Sequence, residues 1–266
     1  NHFEIDDFKS IFWWEYIHRM FGRMIGLVFI IPFALFIWKK RIPRELFPQF
    51  FIILGMGAFQ AILGWFMVKS GLSDVPRVSH YRLSAHLITA FLTCAYIFWV
   101  MLNYIEFGSL KKIKHRISKW IGLLLILLIV QIIFGGFVAG LRAGWVHNTW
   151  PLMDDALIAQ SVFAMDPIWL NFFEGKSGVQ FVHRTLGIIV FSASLFIGWK
   201  IHVLKESRLN APAIMLGFAV FIQFLLGIFT LILYVPILLA VVHQVFALVT
   251  LLSVVWLYHR TRYTLE

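Results

Sequence analysis

Apolar positions in this chain do not trace a stripe along one helix face. They fill whole blocks of about 20 residues, separated by short polar stretches, and a block of that length is what one helix needs to cross a bilayer. The blocks predict seven spans, over 13–38, 47–68, 83–105, 120–140, 180–200, 212–234 and 237–257. Helices are the open-chain solution in lipid, because each backbone N–H and C=O must be satisfied within its own segment. The expected class is an all-α membrane protein.

The spans repeat. His18-Arg19-Met20-Phe21-Gly22 in the first matches His183-Arg184-Thr185-Leu186-Gly187 in the fifth. Gln60 and Gly64 match Gln223 and Gly227 one span later, and His86, Ala90 and Thr93 match His243, Ala247 and Thr250 one span after that. Three matched spans in the same order predict duplication of a helical unit. Matched spans share a direction, so the repeat is parallel. The second unit is preceded by the span at 120–140 and a long polar segment, for which the first unit has no counterpart. The expectation is a tandem of four-helix bundles, seven transmembrane helices of eight, with a first half at 1–110 lacking its first helix and a second half at 111–266.

Composition changes the picture little: 61% of residues are hydrophobic and the mean hydropathy is +0.84. Charge adds an orientation. The formal net charge of +10 would suggest nucleic acid in a soluble protein, but here the basic residues sit in short loops. Segments 39–44, 111–119, 200–208 and 260–262 carry fourteen Lys and Arg; the opposite segments carry six, with most of the acids, including Asp74, Asp154, Asp155 and Glu174. The positive-inside rule places the first set in the cytoplasm or matrix, and nucleic acid is not an expected partner. The single cysteine, Cys94, excludes an intrachain disulfide and a cysteine metal site.

Of ten histidines, four lie inside spans: His18, His86, His183 and His243, two per unit at matched depth near the outer surface. Ionisable groups in a membrane are costly and mark function. Two imidazoles facing each other across a helix bundle suit a bis-histidine haem; zinc, which takes four ligands close together, suits them less well. His80, His115, His147, His202 and His259 lie in loops or at span ends and read as solvated or interfacial. Gly22, Gly26, Gly64, Gly187 and Gly227 fit either a flat ring approaching helix backbones or plain helix packing by small residues. Glu15 stands three residues before His18 and shares its helix face, whereas the matching position in the second unit is Gln180. A carboxylate beside one site can accept a proton or orient water, so the first unit is the expected reaction site. Arg19, Arg23 and Arg184 fit haem propionates or snorkelling toward headgroups.

At these residues the chain resembles the haem A synthase family, in its mitochondrial and α-proteobacterial subgroup. Glu15-Tyr16-Ile17-His18-Arg19 is similar to the family's Glu-x-x-His motif, and Val78 to His86 to its second histidine region. Ala139-Gly140-Leu141-Arg142-Ala143-Gly144 and Asn148-Thr149-Trp150-Pro151-Leu152-Met153 resemble its long outer loop. The resemblance implies eight helices in two halves, and oxidation of the C8 methyl of haem O to the formyl group of haem A by successive hydroxylations. It implies that His18 and His86 hold the substrate haem with Glu15 serving the chemistry, that His183 and His243 ligate haem b, and that Arg19 and Arg184 assist cofactor binding. It also implies a bacterial cell membrane or mitochondrial inner membrane, with haem sites toward the periplasm or intermembrane space. The partners implied are membrane lipid, haem O synthase, cytochrome oxidase assembly factors and a homo-oligomer. The outer cysteine pair of some members is absent here. The alternative is a dihaem b-type cytochrome that only transfers electrons; it leaves Glu15 without a task. A transporter built on the repeat is a third reading, but these histidines lie near one surface and not at the midplane.

Overall fold

The computed structural model describes residues 5–71, 78–105, 110–113 and 115–265. Glu4, Asp74, Arg77 and Lys114, which enter the charge pattern, lie outside them. Among the described residues, seven helices are long and apolar enough to cross a membrane, in the places the apolar blocks predict. They are α1 (Ile5–Trp38), α2 (Phe47–Gly71), α3 (His80–Ile105), α4 (Ser118–Gly140), α5 (Lys176–Leu204), α6 (Ser207–Ile232) and α7 (Ile237–Arg262). Most run past the apolar block into flanking polar residues, because the hydrogen-bonded ladder needs no apolar side chains once it leaves the hydrocarbon.

The chain falls into two compact units, Asn1–Ile62 and Leu63–Glu266, with the boundary inside α2. In the first, α1 ends at a turn where Lys40 takes φ 51°. A single 3-10 turn at Arg44–Leu46 then leads into α2. Phe33 stacks on Phe50 with ring centroids 5.5 Å apart and meets Phe51 edge-on at 5.5 Å. These rings supply the packing that lipid cannot, since association of helices in a bilayer rests on close contact and not on water exclusion.

The second unit packs α3 against α4 and α7, α4 against α5 and α7, α5 against α6, and α6 against α7. Its core is aliphatic. Ile117, Ile121, Leu124, Leu128 and Ile132 keep helical spacing along the start and body of α4, and Leu251, Val254 and Val255 face them from α7. Close approach of α3 and α4 depends on two glycines. A Cβ on Gly136 would lie 2.8 Å from Ser84 Cβ, and one on Gly140 would lie 2.6 Å from His80 Cα. Ser84 Oγ donates to the Ile133 carbonyl at 2.9 Å across the same contact. A short antiparallel pair, β1 (Leu110–Lys112) with β2 (Tyr263–Leu265), ties the α3–α4 connection to the end of α7. Nothing in the charged 110–112 stretch announces a strand.

The segment between α4 and α5 is irregular but held throughout. Arg142 takes the left-handed φ of 54° that ends α4. Asn148 Nδ2 donates to Gly144 O and to Leu231 O, both at 2.8 Å, so one amide joins this segment to the end of α6. Trp145 Nε1 donates to Tyr234 O at 3.0 Å. Asn171, 1% exposed, donates to the carbonyls of Met165 and Ile168 and accepts from the Met165 N–H. Tyr81 OH donates to Glu174 at 2.6 Å and His80 Nε2 to Phe173 O at 2.9 Å, which fastens the segment's far end to α3.

Candidate haem cavity

Within the second unit, α4, α5, α6 and α7, with Leu87 and Phe91 of α3, line an open-sided cavity of about 550 Å³, inside the range of small-molecule and cofactor sites. Its wall is mainly apolar: Leu128, Val190, Phe191, Val220 and Phe224 line it, and Phe191 and Phe224 stack at 4.5 Å. His183 from α5 and His243 from α7 both line it, as do Gln131, Gln223, Arg142 and Arg184. The repeat predicted this pair; the fold brings it to one space.

The polar atoms around the cavity are short of partners. Among the described residues, His183 Nδ1, His243 Nδ1, Gln131 Oε1, Gln223 Oε1, Thr230 Oγ1 and Arg184 Nε are buried with no hydrogen bond. Buried polar groups in folded proteins are nearly all paired. So many orphans around one apolar slot mark a place built for a ligand with a polar or metal centre and an apolar body. Gln223 Nε2 donates toward His243 Nε2 at 3.4 Å, a weak bond by length. Among the described residues no three His, Cys, Asp or Glu side chains converge on a metal-sized point. The donor set is two imidazoles, which fits an iron whose remaining four ligands come from a macrocycle.

Arg184 lines the cavity and is also bonded to the outer segment. Its Nη2 donates to His147 O at 2.6 Å and its Nη1 to Leu152 O at 3.1 Å. It therefore pins the outer segment to α5 while still lining the cavity, with its Nε buried and without a hydrogen bond. Gln180 works beside it, donating to the carbonyls of Ala143 and His147 at 3.0 and 3.2 Å. Arg142, over the Trp145 ring at 5.8 Å, is a second cation in the lining. It lies in the outer-loop motif, but no pattern in the sequence singles it out from other loop arginines.

Three histidines taken as solvated or interfacial are in fact buried. His147 is 5% exposed; its Nδ1–H donates to Asp154 at 2.6 Å and its Nε2 accepts from Ser177 Oγ at 3.0 Å. His80 is 8% exposed and His259 is fully buried, 3.0 Å from Asn103 Oδ1. Position at a span end hid them, because burial there comes from loop and chain ends folding back. His115 and His202 remain partly or fully open.

The glycines also divide. A Cβ on Gly22 or Gly26 would meet nothing within 4 Å. On Gly64 it would lie 3.1 Å from His86 Cε1, on Gly227 3.0 Å from His243 Cε1, and on Gly187 3.2 Å from Gln131 Nε2. The close helix packing belongs instead to Gly136 and Gly140.

In the first unit, Glu15 and His18 lie on α1. His18 is exposed and Glu15 half-buried. Arg19 donates to the Glu15 carboxylate one turn away, and Arg23 Nη1 lies 3.7 Å from Met20 Sδ. His86 lies on α3, in the second unit, on the side of that helix that meets Gly64.

Fold and cavity together define a polytopic helical membrane protein with an apolar, histidine-paired ligand slot. The chain belongs to the family described as cytochrome oxidase assembly protein, COX15-CtaA, which matches residues 2–255. It is similar to proteins named heme A synthase. One from Flavobacterium psychrophilum is 47% identical over 267 residues, covering 98% of this chain and 77% of the relative. One from Flavobacterium johnsoniae is 46% identical with the same coverage. One from Parvibaculum lavamentivorans is 40% identical over 256 residues, 96% of this chain and 73% of the relative.

Proposed function

We propose that this chain is a haem A synthase, a membrane oxidoreductase that converts the C8 methyl group of haem O to the formyl group of haem A. The observation that carries the reading is the cavity of the second unit, where two imidazoles and a ring of orphaned polar atoms face one apolar slot. The relatives named heme A synthase, at 40–47% identity over nearly the whole chain, supply the reaction.

His183 and His243 are the ligands proposed for a resident haem b, which when bound supplies one-electron redox chemistry. The chain's own residues do the rest. The apolar wall of Phe191, Phe224 and Val220 takes the macrocycle, and Arg142 with the Nε of Arg184 offers positive charge for propionates. The outer segment, pinned by Gln180, Arg184 and Asn148, keeps water from the slot.

His18 and His86 are the residues proposed for the substrate haem, supported by the repeat that matches them to His183 and His243. Glu15 lies one turn from His18, where a carboxylate can take a proton from the reacting centre or orient water. Arg19 holds that carboxylate. The halves 1–110 and 111–266 are proposed as substrate and resident-haem bundles. Similarity to the heme A synthases supports a setting in the bacterial cell membrane or mitochondrial inner membrane, and the loop charges support placing both haem sites toward the periplasm or intermembrane space. Haem O synthase, oxidase assembly factors and further copies of the chain are the proposed partners.

The test is to supply haem O to the full-length protein with an electron acceptor and to extract the pigments. Haem A is the expected product. Bound haem with no conversion would point to an electron-transfer cytochrome, and no haem at all would defeat both readings. Glu15→Gln is expected to retain haem while losing conversion at least tenfold; full activity in that variant would remove Glu15 from the mechanism.

A further inference from the structure

Gln131 and Gly135 on α4, like Gln223 and Gly227 on α6, are spaced by four and so share a helix face. In each pair the glycine stands against the imidazole of the following helix. A Cβ on Gly135 would lie 3.2 Å from His183 Cε1 and 3.8 Å from its Nδ1. On Gly227 the same distances to His243 are 3.0 and 3.6 Å, and on Gly64 to His86 they are 3.1 and 3.7 Å. Three times over, the carbon between the two ring nitrogens is the atom nearest the glycine, so each imidazole turns the same edge to the neighbouring backbone. We infer that Gly64, Gly135 and Gly227 are positioning residues: each is a seat that fixes where an axial imidazole stands, and a glutamine one turn earlier marks it. The inference rests on the reading of these histidines as haem ligands.

Ordinary packing does not account for the pattern. Gly136, beside Gly135, contacts the backbone and Cβ of Ser84 on α3, while Gly198 and Gly217 have nothing within 4 Å of a built Cβ. The other described glycines of the second unit meet backbone, other side chains or open space; those four residues after a glutamine meet an imidazole. Gln131 and Gln223 both line the cavity with a buried, unpartnered Oε1, and Gln223 reaches the same ring that Gly227 seats.

The physical consequence is direct. Carbon atoms in contact sit about 3.5–4.0 Å apart, so a methyl group at these glycines pushes the ring by several tenths of an ångström. A histidine holding haem iron would then have to tilt its ring or bind more weakly. Alanine is the better helix former, so the helix carrying the substitution is not weakened by it.

The test uses the full-length protein purified with its haem, comparing Gly135→Ala, Gly227→Ala and Gly227→Val with Gly198→Ala as control. Haem content, the low-spin absorption and paramagnetic-resonance signature, and thermal unfolding are read on each. Expected are shifted g-values in both alanine variants with thermal stability unchanged or raised, at least a twofold loss of haem in Gly227→Val, and wild-type haem content and spectra in Gly198→Ala, whose stability rises as a better helix former's should. Wild-type haem content and spectra in Gly135→Ala, Gly227→Ala and Gly227→Val would overturn the seats while leaving the ligands in place. Low-spin haem that survives in both His183→Ala and His243→Ala would overturn the ligand reading itself, and the seats with it.

Discussion

Replacing Gly136 with alanine places a methyl group 2.8 Å from both Cβ and Oγ of Ser84 and 2.9 Å from its Cα. Ordinary carbon contact is about 3.5–4.0 Å, so roughly 0.7–1 Å must be found. Two of the three atoms belong to Ser84 Cα and Cβ, which no rotamer change can move, so α3 and α4 themselves must separate. Overpacking of this kind costs about 1–3 kcal/mol. The Ser84 Oγ to Ile133 O bond, 2.9 Å long, stretches past its useful length, and an interhelical bond in a membrane is worth about 0.6 kcal/mol. Against this, alanine gains about 1 kcal/mol over glycine in a helix interior. The expected net loss is therefore about 1–2.5 kcal/mol. At Gly198, where a Cβ meets nothing within 4 Å, only the helix gain applies. Equilibrium unfolding in mixed micelles, followed by helical circular dichroism, should separate the two variants by about 2–3.5 kcal/mol. A Gly136→Ala protein as stable as Gly198→Ala would refute the argument that α3 and α4 meet at backbone distance.

Two further outcomes follow from the outer segment. Arg184→Met removes two donors from the carbonyls of His147 and Leu152, bonds from a charged donor worth about 1.5–3 kcal/mol each. Limited proteolysis should then cut within 147–165 at least tenfold faster with the helices intact, and an unchanged cleavage rate would show that Arg184 does not hold this segment. Asn171→Leu deletes three hydrogen bonds at a buried site and should cost about 3 kcal/mol, at about 1 kcal/mol per bond; a loss below about 1 kcal/mol would contradict the burial of this amide.

Membrane insertion made most of the architecture legible. A bilayer core accepts only long apolar blocks with their backbone bonds closed, so the seven spans could be read without knowing any contact. The four intramembrane histidines stood out for the same reason, because lipid tolerates few such groups. The repeat then paired His183 with His243, and the cavity joins that pair. What escaped was decided by neighbours distant in the chain. His147, His80 and His259 look like loop and end residues until the 141–175 segment and the chain end fold back over them. That Arg184 also holds this segment, through two of its carbonyls, shows only once the segment is folded over α5.

The glycines show the division most sharply. Adjacent in the chain, Gly135 and Gly136 are indistinguishable by residue type, yet one faces His183 on α5 and the other Ser84 on α3. The third Gln-x-x-x-Gly, at 131 and 135, lies outside the spans that the repeat aligned and acquires meaning only from the imidazole opposite. By itself the sequence determined a helical membrane protein with seven apolar spans in this stretch and histidines at matched places in its repeat, because the bilayer imposes the length and cost of every segment on it. Which glycine packs a helix and which seats a ligand ring was decided only by the tertiary structure, because an absent side chain has no signature except the atom that occupies its place.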